Sequence, residues 1–251
     1  MAVFHNQSGS HSCPLAQAPG SSIRSKSVLF QPGVADPIRI SHVGECSLLF
    51  EFCSKPDLEV QRRIWLLADA LRGAYDTFEV TLGVGNLLVI YDPLSTEPSI
   101  IRDIVCSAWE DTYGAKAPGR LIEIPVIYGG DGGIDLVGVA EATGLLPSEV
   151  VRIHADAEYV VAALGAHPGY AYLIGLDDRL FISRRTVPRQ SLPANSIVIA
   201  GGLGGITGCA SASGWHVLGR SRLTFFDAFR RPPALLSAGD RVKFHAEKVI
   251  A

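Results

Sequence analysis

Residues 159–182 read YVVAALGAHPGYAYLIGLDDRLFI, and the texture that begins here decides the fold class. Its apolar runs are short, and Gly165, Pro168-Gly169 and Gly175 interrupt them. The same texture continues to the C-terminus, with apolar segments over 170–174, 180–182, 196–200, 216–218, 224–226 and 241–245. Short apolar segments separated by frequent Gly and Pro are the signature of a closed antiparallel β-structure. Just upstream, 121–127 alternates as a strand, and helical segments are expected over 135–143, ended by Gly144, and over 148–154, introduced by Pro147.

Further upstream the pattern changes. Residues 38–40 and 47–52 read as two strands separated by Gly44. Ser54 is placed to cap a helix, with Pro56 in its first turn and Val60, Ile64, Leu67, Ala68 and Leu71 at helical spacing before Gly73. Strands over 78–82 and 87–91 flank the turn Gly83-Val84-Gly85-Asn86, and a second helix starts near 96–98, carries Ile101, Ile104, Val105 and Ala108 on one face, and stops at Gly114. The order ββαββα predicts both helices on one face of an antiparallel sheet. Ala117-Pro118-Gly119 marks a boundary. The expected fold class is thus α+β: a flexible extension rich in Ser, Gly and Pro over 1–35, a small sandwich-like α/β domain over 36–117, and a β-barrel domain over 118–251.

Composition narrows the partners. With 22 basic against 25 acidic residues, 47% hydrophobic residues and a mean hydropathy of +0.24, the chain can bury a core, and its charge gives no global attraction to nucleic acid or an anionic membrane. Cys13, Cys46, Cys53, Cys106 and Cys209 are scattered without CxxC or Cys/His ligand spacing, which argues against a disulfide scaffold or a zinc site and fits a reducing cytoplasm. No secretory signal is visible. The uncharged run over 190–219 is too rich in glycine for a membrane helix.

Charge is unevenly spread. From Arg179 to Phe226 there is no Asp or Glu, while Arg179, Arg184, Arg185, Arg189, Arg220 and Arg222 fall in that window. Arginines without carboxylate partners would offer planar donors to a phosphate or carboxylate ligand. The alternative is that distant carboxylates such as Asp177 or Asp227 neutralise them on folding. Phosphate-loop, dinucleotide, hydrolase-elbow and HExxH motifs are absent. Two loops stand out instead: Ala166-His167-Pro168-Gly169-Tyr170, with Tyr170 and Tyr172 projecting to one side of the strand that follows, and the proline-stiffened Ser183–Arg189 segment. Arg185 and Arg189 read as ligand-binding, whereas Trp215, after Ser213-Gly214, reads first as a core aromatic.

At these residues the chain resembles the family of B-type 5-oxoprolinase subunits, which includes the sporulation-kinase inhibitor proteins and is similar to subunit 1 of allophanate hydrolase. The resemblance runs from Gln61-Arg62-Arg63-Ile64-Trp65 through 124–130, Asp135-Leu136, His154, 159–161, Leu164-Gly165, Pro168-Gly169-Tyr170, Pro188-Arg189 and Ile199-Ala200-Gly201-Gly202 to Gly214-Trp215, Gly219-Arg220, Phe226-Asp227 and Gly239-Asp240. It implies a C-terminal cyclophilin-like β-barrel. It also implies a subunit that acts with a carboxyltransferase-like partner of the C type and a third partner of the A type to hydrolyse a lactam or amide, converting 5-oxoproline to glutamate. The expected cofactor is ATP, with or without Mg2+, bound by the assembly.

Activating a lactam carbonyl calls for cationic donors at its oxygen. The site residues expected on this basis are His154 as proton shuttle and Arg189 as the catalytic cation. Pro168, Gly169, Tyr170, Arg184, Arg185, Gly201, Gly202, Trp215 and Arg220 are expected to hold substrate or nucleotide. The alternatives are a non-catalytic regulatory protein of the histidine-kinase inhibitor type and a subunit of the allophanate hydrolase or urea carboxylase type; a prolyl isomerase has no support beyond the barrel type. The chain departs from the family pattern at Ser183, at Ala212-Ser213 and at Leu203, where a glutamine is usual, so a polar donor and acceptor are lost from the expected pocket.

Overall fold

A computed structural model describes residues 38–112 and 119–250, together with the backbone of Ser27–Leu29. The first part is a five-stranded sheet made of β1 (Ser27–Leu29), β2 (Ile38–His42), β3 (Ser47–Glu51), β4 (Glu79–Leu82) and β5 (Asn86–Ile90). Its spatial order is β1-β2-β3-β5-β4, antiparallel throughout. Helices α1 (Leu58–Ala74) and α2 (Pro98–Glu110) bury Ile64, Leu67, Leu71, Ile101, Val105 and Trp109 in one core with Ile38, Ile40, Leu48, Phe50, Leu87 and Val89 of the sheet. This is the layer that the helical and strand periodicities predict.

Two details differ. The cap of α1 is Asp57 rather than Ser54: its Oδ1 accepts the Val60 N–H at 2.9 Å, and Pro56 stays outside the helix. Strand β1 falls inside the stretch expected to be an extension, pairing its backbone with Ile38–Ile40. The rest of that extension and the boundary expected at residue 118 lie outside the described residues.

The second part consists of β6 (Leu121–Gly129), α3 (Leu136–Thr143), α4 (Pro147–Asp156), β7 (Glu158–Leu164), β8 (Ala171–Ile174), β9 (Arg189–Leu192), β10 (Ser196–Ala200), β11 (Leu203–Ile206), β12 (Ser211–Ser213), β13 (His216–Arg220) and β14 (Arg241–Ile250). Seven of these strands close a barrel in the order β10-β11-β8-β7-β14-β6-β13. One pair, β6 with β14, is parallel, which corrects the expectation of a wholly antiparallel structure. A parallel pair cannot be joined by a hairpin, and all the chain between these two strands serves as their crossover. Strands expected over 180–182 and 224–226 are also absent. Asp177 accepts the Arg179 N–H and closes a 3-10 turn at Asp178–Leu180, and Phe226 forms only an isolated bridge to Ala234.

Inside the barrel lie Ile124, Val126, Tyr128, Val161, Leu173, Ile197, Ile199, Ile206 and Phe244. Every residue of β10 is buried, although strand side chains alternate between two faces. The reason is a second, smaller cluster on the outer wall, where Val198 and Ala200 pack with Tyr170, Leu192, Trp215 and Val217. The two-stranded β9-β12 sheet supplies Leu192 to that cluster. A groove is thereby formed on the outside of the barrel.

Helix α1 also fastens the two parts together. β7 shifts register between Val161 and Ala163, and the bulged carbonyl of Ala162 accepts from Trp65 Nε1 at 2.8 Å and from Gln61 Nε2 at 3.3 Å. Gln61 also donates to Gly83 O at 3.1 Å and accepts the Gly85 N–H at 2.8 Å, so one amide ties the β4–β5 turn to the barrel. Among the described residues no helix is long and apolar enough to cross a membrane.

Candidate functional site

The organising group of the outer groove is Asp135, at the entry to α3. Its backbone N–H donates to Val217 O at 3.1 Å, and its Oδ2 accepts the Val217 N–H at 2.8 Å, so β13 fixes the carboxylate from both sides. Oδ1 accepts from Arg185 Nη1 at 3.1 Å and from Arg189 Nη2 at 2.6 Å, and Oδ2 accepts from Arg189 Nη1 at 2.7 Å. Arg189 thus makes the bidentate contact to which a planar guanidinium is suited. Burial alone would raise the carboxyl pKa; the bonds from Arg189 and the Val217 N–H, with the charges of Arg189 and Arg185, outweigh it and hold Asp135 below the usual carboxylate range.

One carboxylate therefore serves two arginines of the acid-free window. It lies fifty residues upstream of Arg185, and is neither of the two carboxylates expected to neutralise the window. Asp177 does pair with Arg179, but both are at an exposed turn away from the groove. The sequence offered one signal for Asp135, its place beside Leu136 after a glycine-rich turn, and reading the arginine window alone could not use it.

Beside this cluster is a cavity of about 230 Å³ lined by Ala166, His167, Tyr170, Tyr172, Arg184, Arg185, Pro188 and Ala212–Trp215. Tyr170, Tyr172 and Trp215 form its aromatic wall, with ring centroids 4.8 to 6.0 Å apart. The Arg184 guanidinium sits 5.9 Å from the Trp215 ring and has no carboxylate partner among the described residues. Two polar atoms of the wall, Tyr170 Oη and Arg185 Nε, are buried without a hydrogen-bond partner among those residues. Burial, with the neighbouring Tyr172, pushes the Tyr170 phenol up although Arg184 pulls it down, so Tyr170 is a neutral donor.

The loops are built for this placement. Gly169 adopts φ +71°, and a Cβ there would stand 2.6 Å from Phe226 Cβ, so the turn before Tyr170 requires glycine. Ala166, at the cavity wall, holds φ +63° despite its side chain. Across the groove, the Arg185 N–H donates to Gly214 O at 2.8 Å, anchoring the arginine segment to the turn before Trp215.

Of the expected site residues, the cavity brings together Tyr170, Arg184, Arg185 and Trp215, with Arg189 behind them on Asp135 and Pro168-Gly169 shaping the loop. It also contains His167, Tyr172 and Ser213, which were not among the expected site residues. Trp215 is both a core aromatic and a wall residue. Gly201 and Gly202, with φ +58° and +82°, make the β10–β11 turn and do not line the cavity. Arg220 donates to Ala194 O at 3.0 Å and borders a separate cavity of about 110 Å³ with Asp131 and Ser196. Leu203, which replaces the expected glutamine, packs against the outer apolar cluster.

The expectation for His154 is corrected. It is fully buried on the core side of α4, with Nδ1 2.8 Å from Tyr128 Oη and its ring against Tyr159 and Phe244. Desolvation lowers its pKa to about 3. A sealed, neutral imidazole cannot exchange protons with a ligand in the outer groove. The imidazole at the cavity is that of His167.

Comparisons with known proteins agree with this architecture. A family model described as "Carboxyltransferase domain, subdomain C and D" matches residues 38–236. The B subunit of 5-oxoprolinase from Escherichia coli O157:H7 is 38% identical over 209 residues, covering 82% of this chain and 94% of that protein. The solved structure of TTHA0988 superposes with a TM-score of 0.69 at 32% identity over 80% of this chain, which spans only 40% of that longer chain. The Kluyveromyces lactis urea amidolyase shares the fold, with a TM-score of 0.76 at 18% identity over 88% of this chain and 16% of its own. The chain belongs to the carboxyltransferase-domain family of subdomains C and D, within the group that contains the B-type subunits of 5-oxoprolinase.

Proposed function

We propose that the chain is the B-type subunit of an ATP-dependent 5-oxoprolinase-type assembly, acting with a carboxyltransferase-like C-type partner and an A-type partner to open the lactam of 5-oxoproline to glutamate. The observation that carries this reading is the outer cavity, where an aromatic wall meets Arg184 and the unpartnered donors Arg185 Nε and Tyr170 Oη. A lactam carbonyl is a weak electrophile, and negative charge develops on its oxygen as the ring opens. Fixed cationic and phenolic donors stabilise that charge most where water is excluded. Asp135 holds Arg185 and Arg189 in place while leaving one positive charge in excess.

The cavity is smaller than the roughly 300–1,000 Å³ of sites that enclose drug-sized ligands. It suits a small lactam acid and does not fit a nucleoside triphosphate, so we assign ATP, and any Mg2+ that accompanies it, to the partner subunits. The test is reconstitution with both partners, following glutamate formation from 5-oxoproline with ATP. Tyr170→Phe should leave the melting temperature unchanged or slightly raised, because the deleted hydroxyl has no partner, and should lower activity by up to about tenfold, the worth of one hydrogen bond. Full activity of Tyr170→Phe and of Arg184→Ala would remove the cavity from the reaction. A folded, assembled complex without lactam hydrolysis would end the enzymatic reading.

A further inference from the structure

Of the three arginines around the outer cavity, Arg184 differs in what holds it. Arg185 and Arg189 commit donors to Asp135. The Arg184 side chain has no carboxylate or hydrogen-bond partner among the described residues, and no acidic residue of that set lines the cavity. Its backbone is fixed on both sides all the same. His216 Nε2 donates to Ser183 O at 2.9 Å, and the Arg185 N–H donates to Gly214 O at 2.8 Å. The guanidinium stands 5.9 Å from the Trp215 ring, within the range of a cation–π contact, and its charge also acts on the Tyr170 phenol. An unpaired cation on a backbone already braced loses little further freedom when a ligand meets it.

The donors of the cavity therefore divide by chemistry. Arg185 Nε and Tyr170 Oη are buried single donors, and Asp135 offsets the charge of Arg185. Such donors suit a neutral carbonyl oxygen that gains charge only as the ring opens. Arg184 is an exposed, uncompensated planar cation at the same cavity, which suits a pair of oxygens that is ionised from the start. Tyr170, Tyr172 and Trp215 offer their rings as the apolar surface beside these donors. We propose that Arg184 is the specificity-determining residue of this site: it binds the substrate carboxylate and so selects cyclic amides that carry an ionised carboxylate over neutral lactams. This rests on the reading of the cavity as the lactam site.

The test uses the assembly reconstituted with both partners, with 5-oxoproline as the acid and 5-oxoprolinamide, its carboxamide, as the uncharged probe. Glutamate formation from the acid gives kcat and KM, and inhibition of that reaction by the amide gives the amide's affinity whether or not the amide is turned over. In wild type the acid should bind at least about tenfold more tightly than the amide, as expected of one charge-assisted contact, and the difference should shrink at high salt. Arg184→Met should raise KM for the acid about tenfold or more with a much smaller change in kcat, and should alter the inhibition constant of the amide less than about threefold. Arg184→Lys should restore part of the preference. Both variants should keep the wild-type melting temperature, because the side chain is exposed. Equal binding of acid and amide by wild type, equal weakening of both in Arg184→Met, or an unchanged KM there overturns the carboxylate assignment; a lowered rate of Tyr170→Phe in the same assay then leaves the reading of the cavity intact. A wild-type assembly that opens no lactam overturns both.

Discussion

Asp135→Asn tests whether one carboxylate holds the arginine cluster. The side chains of Asp135, Arg189 and Arg185 are 8%, 21% and 31% exposed, so the cluster is mostly but not wholly withdrawn from water. The substitution keeps the shape and loses the charge. Whichever way the new amide is turned, its NH2 faces donors: at one oxygen position Arg185 Nη1 and Arg189 Nη2, at the other Arg189 Nη1 and the Val217 N–H. At least two of four bonds are lost, and the survivors become neutral acceptors. Charge-assisted bonds contribute about 1.5–3 kcal/mol each and neutral ones about 0.5–1.5. With water able to reach the partly exposed guanidiniums, the net cost is about 2–3 kcal/mol. For a chain of this size that is a fall in melting temperature of roughly 4–12 °C.

The pH dependence gives a second reading of the same substitution. Because the folded-state pKa of Asp135 is depressed, its contribution is complete above the unfolded carboxyl value of about 3.9 and is lost as pH falls through the lower folded value. Calorimetric melts of wild type and variant should therefore differ by a constant gap from about pH 5 to 8 and converge only in strong acid. A variant melting within about 1 °C of wild type at neutral pH, or a gap that closes between pH 7 and 5, would refute the account.

Two other perturbations probe the core and the joint. His154 titrates near 3 when folded and about 6.5 when unfolded, so the wild type should lose stability progressively as pH falls from about 6.5 toward 3; in urea denaturation His154→Phe should lack that slope while losing about 1–3 kcal/mol at pH 7 from the orphaned Tyr128 hydroxyl. Trp65→Phe removes one of two donors to the Ala162 carbonyl and should cost about 1–2 kcal/mol, with faster amide exchange around the β7 bulge; unaltered exchange there would deny the indole its role in fastening the two parts.

The parts of this fold that were legible in the sequence are those fixed by local periodicity. Ile64, Leu67, Ala68 and Leu71 repeat at helical spacing, and that stripe packs on the sheet as expected. Helix ends are not fixed by periodicity: the sequence reading placed the cap at Ser54, whereas the backbone geometry places it at Asp57, a residue type equally able to cap. The strands expected over 180–182 and 224–226 failed for a related reason. Leu180 and Phe225 are buried as their apolar character requires, but burial of a few residues does not demand a ladder, and the hydrogen bonds are taken by a side-chain cap and by Arg230. The site was legible in the same uneven way: Tyr170, Arg184, Arg185 and Trp215 announced themselves by type and loop setting, whereas His154 looked polar and available until α4 turned it inward.

By itself the sequence determined the types of the long periodic elements, the α+β class and a window of arginines without nearby acids, because each is set by residues close together in the chain. Tertiary structure alone decided that β6 and β14 lie parallel, that β9 and β12 cover the barrel's outer wall, and that Asp135 reaches Arg185 and Arg189. Long-range pairing is selected by the whole set of buried faces at once, and a carboxylate attracts whichever guanidinium the fold brings within reach, however far apart the two stand in sequence.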